Sequence, residues 1–251
     1  NWVGVILALV EAGAAIEARD GQGFTPMMAT ALTEGGNEAI AALAAVGAEV
    51  DVAEAGVETK TPLVIAAQRA NCSATAALLE VGARPNFTAG DGLTPLHEAA
   101  GAGSIAVVEM LIRAGAKVDA KDKSAGMTPL HLAVANDHHA AARLLVHSGA
   151  DVSLQDARGL SPLRLSVEMA DVATVQLLLA EEPPADLSVE DKDGGTVLHA
   201  ACRLGLTDIA RLLLDAGADP HARDTLGRTA ELVALDLNQV DCAGLFYSMA
   251  I

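Results

Sequence analysis

The sequence predicts an all-α solenoid: helix–turn–helix pairs stacked in a row and joined by projecting β-turn or hairpin connectors. Three observations carry this. A four-residue opening recurs at Thr25-Pro26-Met27-Met28, Thr61-Pro62-Leu63-Val64, Thr94-Pro95-Leu96-His97, Thr128-Pro129-Leu130-His131, Ser161-Pro162-Leu163-Arg164, Thr196-Val197-Leu198-His199 and, degraded, Thr229-Ala230-Glu231-Leu232, with spacings of 36, 33, 34, 33, 35 and 33 residues. A second marker keeps the same rhythm: Gly13-Ala14, Gly47-Ala48, Gly82-Ala83, Gly115-Ala116, Gly149-Ala150 and Gly217-Ala218. Aromatic residues are only 2% of a chain that is 51% hydrophobic, so the interior is made of Ala, Val, Leu and Ile in close contact. A period near 33 residues means units that touch only their neighbours.

Each element of the unit follows from its residues. In Asp91-Gly92-Leu93-Thr94-Pro95-Leu96-His97, the Thr94 hydroxyl is placed to cap a helix that begins at Pro95. Proline is tolerated there because its missing N–H has no partner to lose. Leu96 to Ala100 forms a short helix with a small-residue face, and Gly103 ends it. The next segment, Ile105 to Arg113, carries Val107, Val108, Leu111 and Ile112 at helical spacing. Gly115 stops it where the chain needs a left-handed residue. The connector Lys117-Val118-Asp119-Ala120-Lys121-Asp122 is too short and polar for a third helix and reads as a projecting turn.

These residues resemble the ankyrin repeat family, whose signature is a Gly-x-Thr-Pro-Leu-His opening and a Leu-Leu…Gly-Ala close. The matches are best at Gly92 to Ala116, Gly126 to Ala150 and Gly194 to Ala218. The resemblance implies a partial first repeat over 1–24 (second helix and connector) and six repeats over 25–228, starting near 25, 61, 94, 128, 161 and 196. A degenerate repeat or cap over 229–251 completes it. It makes Thr94, Pro95, His97, Thr128, Pro129, His131, Thr196 and His199 structural positions, with each His tying one turn to the next.

The ends and one joint depart from the pattern. Residues 1–13 match only a second helix, so Val5, Ile6 and Leu9 lack cover, as if the chain were cut from a longer array. Thr229 to Leu237 suits one helix, after which Asp241 to Ile251 follows no repeat pattern and leaves Phe246, Tyr247 and the Cys242 thiol exposed. Glu181-Glu182-Pro183-Pro184 replaces a Gly-Ala and marks either a bend or an ordinary loop insertion.

Charge and motifs exclude most chemistry. Lys plus Arg is 16 and Asp plus Glu is 33, a formal charge of −17, which removes the basic stripe that nucleic acid or an anionic membrane requires. The apolar run Trp2 to Val10 is too short to span a bilayer. Three separated Cys give neither a disulfide framework nor a zinc pattern, which suits a reducing, cytoplasmic (or nuclear) setting. No nucleophile elbow, phosphate loop or two-His metal helix is present, so no catalytic residue, metal or cofactor is expected. His138, His139 and His147 lack an evident third metal ligand.

What remains is recognition. The residue before the opening Thr or Ser is large and apolar at Phe24, Leu93, Met127 and Leu160, and Phe87 adds a ring to the connector of Leu93. One reading makes these five an apolar strip facing a protein partner, rimmed by Asp20, Asp91, Asp122 and Asp156 and favouring a basic partner. The other folds the same side chains back over the adjacent turn. The function expected is a non-catalytic, monomeric protein-interaction scaffold that binds through its concave face and connector tips. The alternative is the regulatory or substrate-targeting region of a larger kinase, ubiquitin ligase or channel.

Overall fold

A computed structural model describes residues 2–53, 60–88, 90–180 and 185–249, with the backbone alone for Trp2, Ser248 and Met249. The joint expected at 181–184 lies outside the described residues. Among the described residues every regular element is a helix. An isolated α1 (Trp2–Glu11) is followed by seven pairs: α2 (Pro26–Leu32) with α3 (Asn37–Ala45), α4 (Pro62–Gln68) with α5 (Cys72–Glu80), α6 (Pro95–Gly101) with α7 (Ile105–Arg113), and α8 (Pro129–Ala135) with α9 (His139–His147). The row continues with α10 (Pro162–Glu168) and α11 (Val172–Ala180), α12 (Val197–Arg203) and α13 (Thr207–Asp215), and α14 (Ala230–Asp236) and α15 (Val240–Met249).

Local chemistry sets the helix boundaries. The hydroxyls of Thr25, Thr61, Thr94, Thr128, Ser161 and Thr229 each accept the amide three residues on, at 3.2–3.5 Å. At the far end, the Gly-Ala pair closes the second helix. Gly115 N donates to Ile112 O at 2.9 Å and Ala116 N to Leu111 O at 2.9 Å, with Gly115 at φ 86°.

One seam of apolar side chains runs through the row. Leu63, Leu96, Leu130, Leu163 and Leu198 from first helices meet Leu78, Leu111, Leu145 and Leu178 from second helices, all below 2% exposure. Each such leucine contributes about 1.5–3 kcal/mol by burial. Ala66, Ala67, Ala99, Ala100, Ala200 and Ala201 are fully buried, and their small side chains let successive first helices approach. From α4 to α14 the first helices lie closer to their successors than the second helices do, so the row curves with the first helices inside.

The chain's last segment differs from the sequence reading. It is helical as α15 and completes a pair with α14. Cys242 and Phe246 are buried in the common seam, whereas Tyr247 is exposed. The apolar set Cys242, Ala243, Phe246 lies on one helical face, a short pattern that the repeat markers do not flag. At the other end Val5 and Leu9 are about half exposed and Ile6 packs on the seam.

Candidate functional site

The inner surface is built by the first helices and the connector tips ahead of them. Each tip is closed by a backbone hydrogen bond: Asp122 N donates to Met127 O, Asp156 N to Leu160 O and Asp191 N to Gly195 O, at 2.9–3.0 Å. Neighbouring tips are linked one period apart by Lys123 N to Asp91 O (2.8 Å), Ala157 N to Ala125 O (2.8 Å) and Thr225 N to Asp193 O (3.0 Å). Gly92 must be glycine: it sits at φ 83°, and a Cβ there would lie 2.9 Å from Lys123 N.

At four of the seven openings the side chain in the fourth place fastens the tip of the following unit. Nε2 of His97 lies 3.0 Å from Met127 O, that of His131 3.0 Å from Leu160 O, and that of His199 3.1 Å from Arg228 O. A carbonyl only accepts, so Nε2 carries the proton and Nδ1 is the bare nitrogen. Nδ1 then accepts the backbone amide of Thr94, Thr128 or Thr196 at 3.1–3.2 Å. Burial depresses the pKa of His97 and His131; their carbonyl bonds oppose it without reversing it. Arg164 occupies the same register. It donates from Nη1 to Gly195 O (3.2 Å) and Thr196 O (3.0 Å), and from Nη2 to Asp191 Oδ2 (2.7 Å).

The expected strip is only partly assembled. Leu93 and Met127 line one groove of ≈ 460 Å³, with Gln68, Glu98, Leu132 and Asn136. Phe24 lines another of ≈ 410 Å³, with Leu32, Lys60, Ile65 and Arg69. The Lys60 ammonium, 3.2 Å from the Glu98 carboxylate, stands between the two. Leu160 packs against the seam, as Phe24 and Met127 also do in part. Phe87 is elsewhere: its ring lies under the Arg84 guanidinium (4.2 Å to the centroid), and Arg84 is paired to Asp51 at 2.7 Å.

The aspartates hold turns. Asp122 Oδ1 accepts Ser124 N (2.7 Å), Ser124 Oγ (2.9 Å) and Ala125 N (2.7 Å), and Oδ2 accepts Met127 N (3.0 Å). Asp156 accepts Arg158 N and Leu160 N and pairs with the Arg158 guanidinium at 2.9 Å. Both are buried. Burial resists their ionisation, yet these hydrogen bonds outweigh it and hold both carboxyls below the usual carboxylate range. Both carboxylates spend their hydrogen bonds on their own tips, and Asp122 also lines the groove of Leu93 and Met127. Asp20 is exposed and Asp91 half-exposed, each accepting amides of its own tip, Phe24 N and Leu93 N among them.

A second ladder also joins successive units. Glu17, Asp51, Asn86 and Asp119 each accept, one period on, the amide after the Gly-Ala pair, at Glu49, Arg84, Lys117 and Asp151 (2.7–3.1 Å). The signal was present: each stands three residues after the Ala of its own Gly-Ala. Its reach into the next unit is a property of the stack.

Comparison with known proteins points one way. The model of ankyrin repeats matches residues 63–156 and 163–249. SH3 and multiple ankyrin repeat domains protein 2 of Homo sapiens is 33% identical over 186 residues, 73% of this chain and 8% of that protein. The nuclear factor NF-kappa-B p105 subunit of Gallus gallus is 32% identical over 66% of this chain and 17% of its own length. The 2-5A-dependent ribonuclease of Mus musculus is 43% identical over 30% of this chain and 10% of its own. The chain thus spans a small part of these relatives. The solved ankyrin repeat domain of Bcl-3, described as a member of the IkappaB protein family, superposes with a TM-score of 0.79 at 27% identity, covering 87% of this chain and 99% of that one. No helix among the described residues is long and apolar enough to cross a membrane.

Proposed function

The chain belongs to the ankyrin repeat family, a non-catalytic protein-interaction fold, and on that premise we propose that it is a monomeric scaffold taking a protein partner on its concave face. The observation that carries this is the groove of Leu93, Met127 and Leu132 on the inner surface, between units whose Leu96, Leu111, Leu130 and Leu145 are committed to the seam. An apolar centre flanked by Gln68, Glu98 and Asn136 has the anatomy of a recognition patch. A basic segment suits it, drawn by the field of a chain of charge −17. A cytoplasmic or nuclear setting accords with three free thiols.

The test is capture with the intact chain and with Leu93→Ser/Met127→Ser at low and high salt. The variant should stay folded by circular dichroism and lose proteins that the parent retains, and salt should weaken the parent's retention. Equal retention by the two would overturn the reading. A second reading, the regulatory or substrate-targeting region of a larger enzyme or channel, is favoured by one observation. The matched ribonuclease shares only 10% of its length with this chain.

A further inference from the structure

The turn between the two helices of a pair carries a recurring device. At two of these turns the residue just ahead of the second helix reaches back to carbonyls of the preceding pair. Asn71 Nδ2 donates to Ala31 O (3.1 Å) and Thr33 O (3.0 Å), and His138 Nε2 pairs with Gly101 O (3.1 Å). Asp171 holds this place ahead of α11, and an ionised carboxylate has no proton to give. Its Oδ1 accepts Thr174 N at 3.1 Å and so caps α11, but Oδ2 is buried without a hydrogen-bond partner. Leaving an anionic oxygen in that state is costly unless a cation meets it.

The groups around that oxygen have the chemistry of ligands. His139 Nδ1 lies 3.9 Å from Asp171 Oδ2, and His139 Nε2 lies 3.4 Å from Asp137 Oδ1. One ligand atom from each of the three residues falls within 4.8 Å of the other two. Thr174 Oγ1, 3.0 Å from His139 Nδ1, occupies that nitrogen and orients the ring, which leaves Nε2 as its ligand atom. Asp137 brings its carboxylate in from a left-handed backbone position (φ 62°) that the flanking units fill with Gly103 and Ala170.

We propose that Asp137, His139 and Asp171 form a divalent transition-metal site of the kind zinc fills, clamping the α8/α9 pair to the α10/α11 pair. Nitrogen and carboxylate ligands hold zinc at about 2.0–2.2 Å in a tetrahedron, whose ligand atoms stand roughly 3.3 Å apart. The exposed Asp137 and half-exposed His139 can close that far by side-chain rotation, with water in the fourth position. Asp171, capping α11, is the fixed member.

The experiment titrates the metal-free chain with zinc chloride by calorimetry, beside Asp171→Asn and His139→Ala. The Asn variant keeps the cap on α11 and gains the donor that Asn71 uses, so its fold is retained. The parent is expected to bind one zinc per chain and melt at a higher temperature with it. Each variant should bind at least about tenfold more weakly and show no zinc-dependent shift. Cobalt(II) should give the intense visible absorption of a four-coordinate ion in the parent alone. Zinc isotherms shared by the parent and both variants, or no uptake at all, would overturn the assignment.

Discussion

His131→Leu tests how the stack is fastened. His131 is fully buried, with Nε2 on Leu160 O at 3.0 Å and Nδ1 receiving Thr128 N at 3.2 Å. Leucine fills much of the volume but strands that carbonyl and that amide. At about 1–3 kcal/mol for each buried polar group left unpaired, and with Leu160 only half-buried, the loss should total about 2–4 kcal/mol. The pH dependence carries the sharper test. Burial depresses the His131 pKa below the ordinary 6.5, so above that value the native and unfolded chains are both neutral at this residue. Below it the unfolded chain takes up a proton that the native one refuses. Stability contributed by neutral His131 is therefore complete above pH 6.5 and is lost as pH falls towards the native value, at up to about 1.4 kcal/mol per pH unit. The leucine variant lacks this loss, and His97, present in both chains, cancels. Urea unfolding of the two proteins from pH 7.5 to 5.5 should show the gap narrowing as pH drops. A gap that stays constant or widens would refute the reading of His131 as an imidazole that burial keeps neutral.

Three further outcomes follow from the same structure. Thr75→Val should stabilise the chain by about 1 kcal/mol in urea melts, because Thr75 Oγ1 is buried without a partner where the next unit places Val108. Asp122→Asn should cost about 1–3 kcal/mol at pH 7, since the amide nitrogen faces a donor. With the native pKa held below 3.8, that stability is present above 3.8 and lost as pH falls through the native value, so the two proteins should converge only in acid. With a thiol reagent at neutral pH, Cys72 alone should react in the folded chain, and all three thiols in urea. Cys202 is buried with its pKa pushed up to about 12, and Cys242 is buried against the seam.

What the sequence discloses here is whatever is encoded within one period. The opening block and the Gly-Ala close specify helix starts and stops through local hydrogen bonds, so Thr94, Pro95 and Gly115 read directly from their neighbours. Properties that arise between periods are harder to see. Phe87 and Leu93 share a connector, yet only Leu93 enters the groove with Met127. Asp122 and Asp156 look like surface charge because aspartate usually is; their burial depends on the tip folding over its own amides.

Arg164 makes the same point from the other side. By residue type it breaks the series His97, His131, His199; by geometry it continues it, because what these four joints require is a donor that reaches the carbonyl ending the next tip. That requirement is met by an imidazole that must stay neutral or by a guanidinium that is always charged, the latter with Asp191 at 2.7 Å to balance it. The array is thus held by the same bond at successive joints with different responses to acid: joints fastened by His97 and His131 weaken below pH 6.5, and the joint fastened by Arg164 has no proton to gain. The concave groove of Leu93 and Met127 lies directly over an acid-sensitive joint, since Met127 supplies both its side chain to the groove and its carbonyl to His97.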